Sequence, residues 1–231
     1  MLLKQKTLEP LRVFKSFCRL IIDKQRVKGK VKYFCIGRNK TGTTSLKRAF
    51  EDLGFTVGDQ RKAEILYGKH YFKGNFQPII DYCKTAQVFQ DVPFSHPETY
   101  KHLDKAYPGS NFILTLRDNP EQWYRSITRF HAKLFGREGK VPTAKDLKEA
   151  QYVWPGFMYN VVRVHGTPDE EPYNKEILIA HYQKYNRDVL NYFKDRSDDL
   201  LVINVAEKGA YQKFIDFLGV DSPLISHGNR T

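Results

Sequence analysis

The residues best suited to chemistry lie in one short stretch, 37–45, which reads Gly-Arg-Asn-Lys-Thr-Gly-Thr-Thr-Ser. The stretch follows the apolar run 33–36 and precedes a segment whose apolar residues recur at helical spacing. Where a strand passes through a loop into a helix, the first helical amides lack partners and the helix dipole attracts negative charge. The sequence therefore predicts an anion-binding loop, the alternative being an ordinary turn with a Thr or Ser cap. The candidate binding residues are Arg38, Asn39, Lys40, Thr41, Gly42, Thr43, Thr44 and Ser45.

The position of the lysine indicates which anion this loop suits. Gly37 and Gly42 keep the four-residue gap of the nucleotide-binding loop GxxxxGK[ST], but Thr43 stands where a nucleoside-triphosphate enzyme needs lysine. Lys40 precedes the second glycine instead, on the crown of the loop and nearer to a group that would be transferred. A kinase that uses ATP and Mg²⁺ is therefore the weaker interpretation, and it stays open as an alternative.

The segment Lys-Thr-Gly-Thr-Thr at 40–44 resembles the 5′-phosphosulfate loop of the sulfotransferases, which is usually Lys-Ser-Gly-Thr-Thr or a close variant. Members of that family transfer a sulfuryl group from 3′-phosphoadenosine 5′-phosphosulfate (PAPS) to an acceptor and release the bisphosphate PAP. The resemblance covers about residues 32–130 and, more weakly, residues 200–219. It implies PAPS as the donor, a hydroxyl or amine as the accepting group, and a role for Lys40 in stabilising the departing phosphate.

A second motif of the family is an arginine after a central strand, then a proline and a serine on the following helix, which together hold the 3′-phosphate. After the apolar run Phe-Ile-Leu-Thr-Leu, the chain places Arg117, Pro120 and Ser126 in that order. The step from Pro120 to Ser126 fits the family, whereas Arg117 lies one residue further from the proline than is usual. The resemblance makes Arg117 and Ser126 candidate cofactor-binding residues. The alternative for Arg117 is a surface ion pair with Asp118 or Glu121.

A general base is expected at the end of the strand 86–92. The small-molecule branch of the family carries a histidine two residues before a proline, and the residue two before Pro93 is Asp91. Asp91 is therefore the first candidate and His96 the second. An exposed aspartate is a weak base, so burial would have to raise its pKa, whereas a nearby Lys40 would lower it. A structural role for Asp91 and a surface position for His96 are the alternatives.

Apolar runs alternate with amphipathic stretches along the chain. We expect strands at 33–36, 86–92, 111–116 and 200–205 and helices at 44–53, 77–84, 175–193 and 210–218. A further helix is expected to start at Pro120, after the cap residue Asn119, with Trp123, Ile127, Phe130 and Leu134 on one side. Ser95, with Glu98 three residues later, is expected to open a further helix by a capping box. Strands separated by helices predict a single three-layer α/β domain with a mostly parallel central sheet and helices on both faces. In such sheets ligands bind at the carboxyl ends of the strands.

The predicted domain covers residues 32–231 and contains one stretch, 136–172, that is rich in Gly, Pro and charge. We expect this stretch to be a lid or an insertion on the acceptor side. Its aromatic residues suit a ring-bearing, sugar or lipid-like acceptor equally well. The resemblance also suggests Tyr185 as a contact of the adenine, with core packing as the alternative.

The net charge of +12 is concentrated at the amino terminus. Residues 1–32 hold ten basic and two acidic residues, so they carry +8 and the remainder only +4. This predicts a basic helical arm over residues 1–31, either packed on the domain or in peripheral contact with a membrane. The mildly basic domain argues against nucleic-acid binding. Three widely spaced cysteines and no visible secretory signal or membrane span predict a cytoplasmic protein.

The sequence alone thus predicts a PAPS-dependent sulfotransferase that needs no metal and acts on an unidentified small-molecule, sugar or lipid-like acceptor. A non-catalytic anion-binding or membrane-docked module on the same fold is the remaining alternative. The sequence does not indicate the oligomeric state.

Overall fold

The computed structural model describes residues 21–221 as an α/β domain built on four parallel strands. The strands are β1 (Tyr33–Cys35), β2 (Val88–Gln90), β3 (Asn111–Thr115) and β4 (Leu200–Ile203). Their order in the sheet is β2-β1-β3-β4, with Phe34 opposite both Phe89 and Phe112. The expected three-layer α/β fold is confirmed, and every strand pair is parallel.

Helices connect the strands and cover the sheet. Within residues 21–221 they are α1 (Thr43–Asp52), α2 (Gln60–His70), α3 (Gln77–Tyr82), α4 (Thr99–Ala106), α5 (Pro120–Phe135), α6 (Ala144–Glu149), α7 (Phe157–Arg163), α8 (Lys175–Tyr192) and α9 (Ala210–Leu218). Single turns of 3-10 helix at Tyr71–Lys73, Cys83–Thr85 and Ser197–Asp199 join some of them.

Burial on both faces of the sheet explains the apolar sequences of β1, β2 and β3, whereas Val202 of the edge strand β4 is exposed. Alternate residues point to opposite sides, so Phe34 packs in one cluster and Cys35 in another. The first cluster takes residues from α2, α3, α4 and α8, and the second takes residues from α1 and α9. A third cluster joins α5, α7 and α8 beside the carboxyl end of β2. This third cluster therefore borders the edge of the sheet where ligands of parallel α/β folds bind.

Two helix starts position the residues of interest. Asn119 caps α5 by accepting a hydrogen bond from the amide of Gln122 at 2.8 Å, and Pro120 occupies the first turn. Gly42 precedes α1 in a left-handed conformation and offers no side-chain cap. Both helices follow the carboxyl end of a strand, so both point their amino termini at the same edge of the sheet.

The prediction that a helix begins at Ser95 is wrong. Helix α4 begins at Thr99, after Glu98 in a left-handed conformation with φ of 65°. Ser95 is fully buried, and its hydroxyl donates to Asn39 Oδ1 at 3.0 Å instead of capping a helix. The Ser-to-Glu spacing resembled a capping box, but the loop contact with residue 39 takes the Ser95 hydroxyl.

The stretch 136–172 contains the short helices α6 and α7. Thr143 and Asp146 form a capping box at the start of α6. Trp154 packs so closely on α2 that a Cβ at Gly68 would lie 1.9 Å from its ring. The stretch is therefore held against the domain by a specific contact between Gly68 and Trp154.

The expected basic arm lies largely outside the described residues. Residues 21–26 are helical, and Val27 is buried. In the part of the chain that the structure describes, no helix has both the length and the apolar character needed to span a bilayer.

Candidate active site

The loop between β1 and α1 is fixed by two close backbone approaches. A Cβ at Gly37 would lie 2.0 Å from Thr115 Oγ1, and a Cβ at Gly42 would lie 2.2 Å from Val205 Cγ2. Gly42 also has a φ of 107°, which side chains rarely tolerate. Glycine is therefore required at both positions for the loop to rest on the ends of β3 and β4.

Thr41 anchors this loop to the end of β3. It is fully buried, and its hydroxyl donates to the Arg38 carbonyl at 2.6 Å and lies 2.5 Å from Thr115 Oγ1. Thr43 is also buried, whereas Thr44 and Ser45 are exposed at the start of α1. The Thr41 side chain thus supports the loop. The Ser45 and Leu46 amides bond to the Gly42 carbonyl, so among the described residues the Thr43 and Thr44 amides and the exposed hydroxyls remain for an anion.

Lys40 lies on the crown of the loop in a left-handed conformation, with φ of 72°. Its Nζ sits 3.6 Å from the ring centroid of Phe130. Burial lowers the pKa of Lys40, repulsion from Arg117 lowers it further, and Asp91 opposes both. A non-glycine residue held in this conformation carries strain that is common at functional sites.

Arg117 follows β3 and joins this loop. Its Nε donates to the Lys40 carbonyl at 2.7 Å, and its amide donates to the hydroxyl of Tyr182 at 3.1 Å. The carboxylates considered as surface partners are occupied elsewhere, since Asp118 accepts from Gln122 and Glu121 pairs with Lys175. The guanidinium therefore lies beside the loop crown.

A basic cleft of about 390 Å³ opens beside Lys40. Within residues 21–221, five cationic side chains and no carboxylate line it, so it suits a multiply charged anion. The residues on α5 that face it recur at helical spacing, one or two per turn. The cleft is lined by Lys40, Arg117, Gln122, Arg125, Ser126, Arg129, Phe130 and Lys133. Sequence reasoning missed Arg125, Arg129 and Lys133, although their spacing from Ser126 was a usable signal.

Arg38 does not face the basic cleft. Its side chain is buried, and its guanidinium donates to the Ser95 carbonyl at 2.5 Å and to His165 Nε2 at 2.8 Å. His165 Nδ1 in turn donates to the Val162 carbonyl at 2.7 Å. The side chain of Arg38 therefore joins the anion-binding loop to the stretch 136–172, a link the sequence did not suggest.

A second cavity of about 230 Å³ shares Phe130 with the basic cleft. Aromatic and aliphatic side chains form most of its walls, and polar or ionisable side chains from Arg38, Asn39, Glu64, Asp91 and three histidines complete them. The stretch 136–172 contributes several of these walls. The apolar lining is Val92, Trp123, Ile127, Phe130, Leu134, Phe135, Tyr152, Phe157, Met158 and Val161. We call this cavity the apolar pocket.

Asp91 stands where the apolar pocket meets the loop. It has a φ of 63°, and its carboxylate accepts hydrogen bonds from the Asn39 amide and from the Val92 backbone at 2.8 Å. Burial raises the pKa of Asp91, and those two hydrogen bonds, Arg38 and Lys40 only partly oppose the shift. Asn39, which directly precedes Lys40, thus connects the loop with Asp91 after β2.

His96 lies in the wall of the apolar pocket and is fully buried, not on the surface. Within the described residues neither ring nitrogen has a hydrogen-bond partner. Its ring meets the edges of Tyr67 and Tyr71 at centroid distances of 4.9 and 5.6 Å. Burial and then the charge of Arg38 hold the pKa of His96 well below its usual value, so the ring is neutral.

Two aromatic residues support the loop from within the core. Trp123 Nε1 donates to the Asn39 carbonyl at 2.9 Å, and its ring stacks on Tyr182 at 4.5 Å. Tyr185 is buried in the core and donates to the Ile36 carbonyl at 2.7 Å. Core packing therefore accounts for Tyr185. No group of three or more His, Cys, Asp or Glu residues in the described ranges is arranged to hold a metal ion.

A protein-family model described as a sulfotransferase domain matches residues 32–229 of the chain. No curated protein matches the chain significantly. The matched span includes all four strands and every residue of the cleft and the pocket. It is consistent with the α/β fold and supports sulfotransfer in general as the activity. The chain belongs to the sulfotransferase domain family.

Proposed function

We propose that the protein transfers a sulfuryl group from PAPS to the hydroxyl of a small, largely apolar acceptor. The observation that carries the proposal is the pair of cavities that share Phe130, one cationic and one apolar. Lys40 lines the basic cleft, and Asp91 lines the apolar pocket. Asn39 directly precedes Lys40 and donates a hydrogen bond to the Asp91 carboxylate. A donor anion and an acceptor can therefore meet at this junction.

The basic cleft fits the charges of the donor. The amides at the start of α1 and Lys40 would hold its 5′ group, and Arg117 and Ser126 would hold its 3′-phosphate. Arg125, Arg129 and Lys133 add positive charge along the same helix face. Thr44 and Ser45 would contribute hydroxyls, whereas the Thr41 and Arg38 side chains act by holding the loop in shape.

Protein groups act at two points of the reaction, the departing phosphate and the acceptor hydroxyl. Bound PAPS supplies the sulfuryl group: a bond forms from the acceptor oxygen to sulfur while the bond from sulfur to the phosphate oxygen breaks. Lys40 and the amides of α1 stabilise the negative charge that grows on that phosphate oxygen. Asp91 accepts the proton of the acceptor hydroxyl. Its raised pKa makes it a better base than an exposed aspartate, and the carboxylate remains the active form.

His96 is the second candidate for the base. It is neutral, and its nitrogens have no partner among the described residues, so it can accept a hydrogen bond from the acceptor, but its lowered pKa makes it a weak base. Asp91 is favoured because it is bonded to Asn39, next to Lys40, whereas His96 sits among Tyr67 and Tyr71. Separate substitutions at the two positions distinguish the roles.

The apolar pocket favours a small alcohol with a ring or a short alkyl body over a sugar. A sugar carries several hydroxyls that need partners, and the walls are mostly hydrocarbon and aromatic. The volume of about 230 Å³ suits a compact acceptor. The buried thiols of Cys35 and Cys83 suit a reducing compartment such as the cytoplasm.

A transfer assay with radiolabelled PAPS tests the proposal. Simple phenols and short alkyl alcohols serve as acceptors, free hexoses as the comparison, and ATP–Mg²⁺ as the competing donor. We expect label to move to phenols or alcohols and no phosphate to move from ATP. Phosphate transfer from ATP without sulfuryl transfer would contradict the proposed function, whereas preferred transfer to hexoses would contradict only the acceptor class.

A further inference from the structure

A second charged cavity lies at the end of the sheet opposite to the active site. It is a groove of about 590 Å³ between the residues that lead into β1 and the turn that leads into β3. The loops of the active site follow the last residues of those same parallel strands. The groove is lined by Lys24, Gln25, Val27, Lys28, Gly29, Lys30, Val31, Lys32, Lys84, Ala106, Tyr107, Pro108, Gly109 and Ser110.

Among the described residues, lysine is the only charged residue type that lines this basic groove. Lys24, Lys28 and Lys30 are exposed, and none of them forms an ion pair with another residue in the range 21–221. Lys84 pairs with the exposed carboxylate of Asp81 at 2.6 Å. The groove therefore presents a concentrated positive charge to solvent.

Apolar side chains stand exposed next to these lysines. Ile21 and Ile22 are 45% and 60% exposed on the helical turn 21–26, and Val31 is 46% exposed. Lysines beside exposed aliphatic side chains are typical of segments that lie on anionic membranes, where charge attracts and hydrocarbon inserts. A nucleic acid would use the charge but leave the isoleucines exposed to water.

The flanking segments of this chain do not have the charge to fill the groove. Residues 1–20 contain five basic residues and one acidic residue, and residues 222–231 contain one arginine and no acidic side chain. We propose that the basic groove docks the protein on an anionic membrane surface. This proposal concerns the opposite edge of the sheet and does not depend on the proposed function.

The position of the groove determines what the docked protein can reach. The groove adjoins Tyr33 and Asn111 at the starts of β1 and β3, whereas Lys40 and Arg117 follow the ends of those strands. A protein docked by this groove turns its basic cleft and apolar pocket away from the bilayer. Its acceptor therefore reaches the pocket from solution.

Vesicle co-sedimentation of the full chain tests this docking. Vesicles of phosphatidylcholine, with and without phosphatidylserine, are compared at low and high ionic strength. The test variant carries Lys24→Gln, Lys28→Gln and Lys30→Gln. The matched control carries Lys140→Gln, Lys145→Gln and Lys213→Gln, three exposed lysines outside the groove. The thermal unfolding midpoint of each variant checks that it is folded.

We expect the unmodified chain to bind only vesicles with phosphatidylserine, and less at high salt. The test variant should bind about 100-fold more weakly, because each lysine near an anionic surface contributes about fivefold. The control should bind as the unmodified chain does, and Ile22→Ser should weaken binding by a smaller factor. Unchanged binding by a folded test variant would overturn the proposal, as would equal binding to uncharged vesicles or none at all. Binding to duplex DNA or to inositol hexakisphosphate without binding to vesicles would also overturn it.

Discussion

The two cavities that meet at Phe130 differ in how the chain builds them. The basic cleft comes from two short segments, the loop before α1 and one face of α5 with the arginine before it. The apolar pocket collects residues from Arg38 to His165, most of which are far apart in sequence. Charge and local spacing define the first cavity, whereas packing between distant segments defines the second. The difference suggests one fixed donor and an acceptor site set by tertiary packing.

The largest effect is expected at the crown of the loop. Lys40→Asn keeps a residue that tolerates the left-handed backbone and removes the charge. We expect kcat for sulfuryl transfer to fall by about 10²–10³-fold, because the group that stabilises the leaving phosphate is lost. Steady-state kinetics measure this, with Lys133→Gln as the control from the same cleft. A variant that keeps kcat within a few-fold would separate Lys40 from the chemical step.

The next effect tests the acidic group of the apolar pocket. Asp91→Asn should lower kcat by about 10²-fold or more, since a general base is lost. In the unmodified protein kcat should rise with pH through an apparent pKa above that of an ordinary aspartate, because burial raises the pKa of Asp91 and the carboxylate is the active form. The pH profile of His96→Gln is the comparison. If that variant loses the rise and Asp91→Asn retains it, the roles of the two residues are reversed.

A moderate effect is expected at the boundary between the cavities. Phe130→Ala removes the ring that both cavities share and on which Lys40 Nζ rests. We expect water to reach the junction, so hydrolysis of PAPS without acceptor should rise while transfer falls by about tenfold. Release of inorganic sulfate measures the hydrolysis, and Leu134→Ala from the pocket side alone is the control. Unchanged coupling would show that the ring does not separate the two cavities.

The smallest effect is expected at Ser126, which is proposed to bind the 3′-phosphate of PAPS and not the reacting atoms. Ser126→Ala removes one hydroxyl from the cleft and should raise the KM for PAPS by about tenfold, with little change in kcat. The KM for the acceptor should stay the same, because Ser126 does not line the apolar pocket. Thr128→Ala, one helix position away from the cleft face, is the control. A larger change in acceptor KM than in donor KM would contradict the division of the two sites.

Local patterns predicted the fold and the positions of the main strands and helices well. The apolar runs that became β1 and β3 and the Asn-Pro start of α5 depend on neighbouring residues, so they can be interpreted from sequence. Helix α2 was not predicted. One of its buried positions is Glu64, which accepts from the Tyr152 hydroxyl, so its apolar periodicity is weak. The helix expected at Ser95 failed because a tertiary contact with Asn39 takes its hydroxyl.

Only part of the candidate site could be predicted from the sequence. Lys40, Arg117 and Ser126 lie together at the basic cleft, and motif spacing had singled them out. Arg38 shared the same motif, yet its side chain turns to His165, which is 127 positions away. The burial of His96 and the pKa shift of Asp91 arise from walls contributed by distant helices. Such properties follow from the fold, and no local pattern carries them.

The central claim is that PAPS is the donor, and calorimetric titration with its product PAP tests this claim most directly. The protein would be titrated with PAP and, in the same preparation, with ATP–Mg²⁺, and both titrations repeated with Arg117→Ala. We predict a PAP dissociation constant on the order of micromolar, much weaker binding of ATP, and at least tenfold weaker binding of PAP by the variant. Tight binding of ATP–Mg²⁺ with little binding of PAP would contradict the account and favour a kinase.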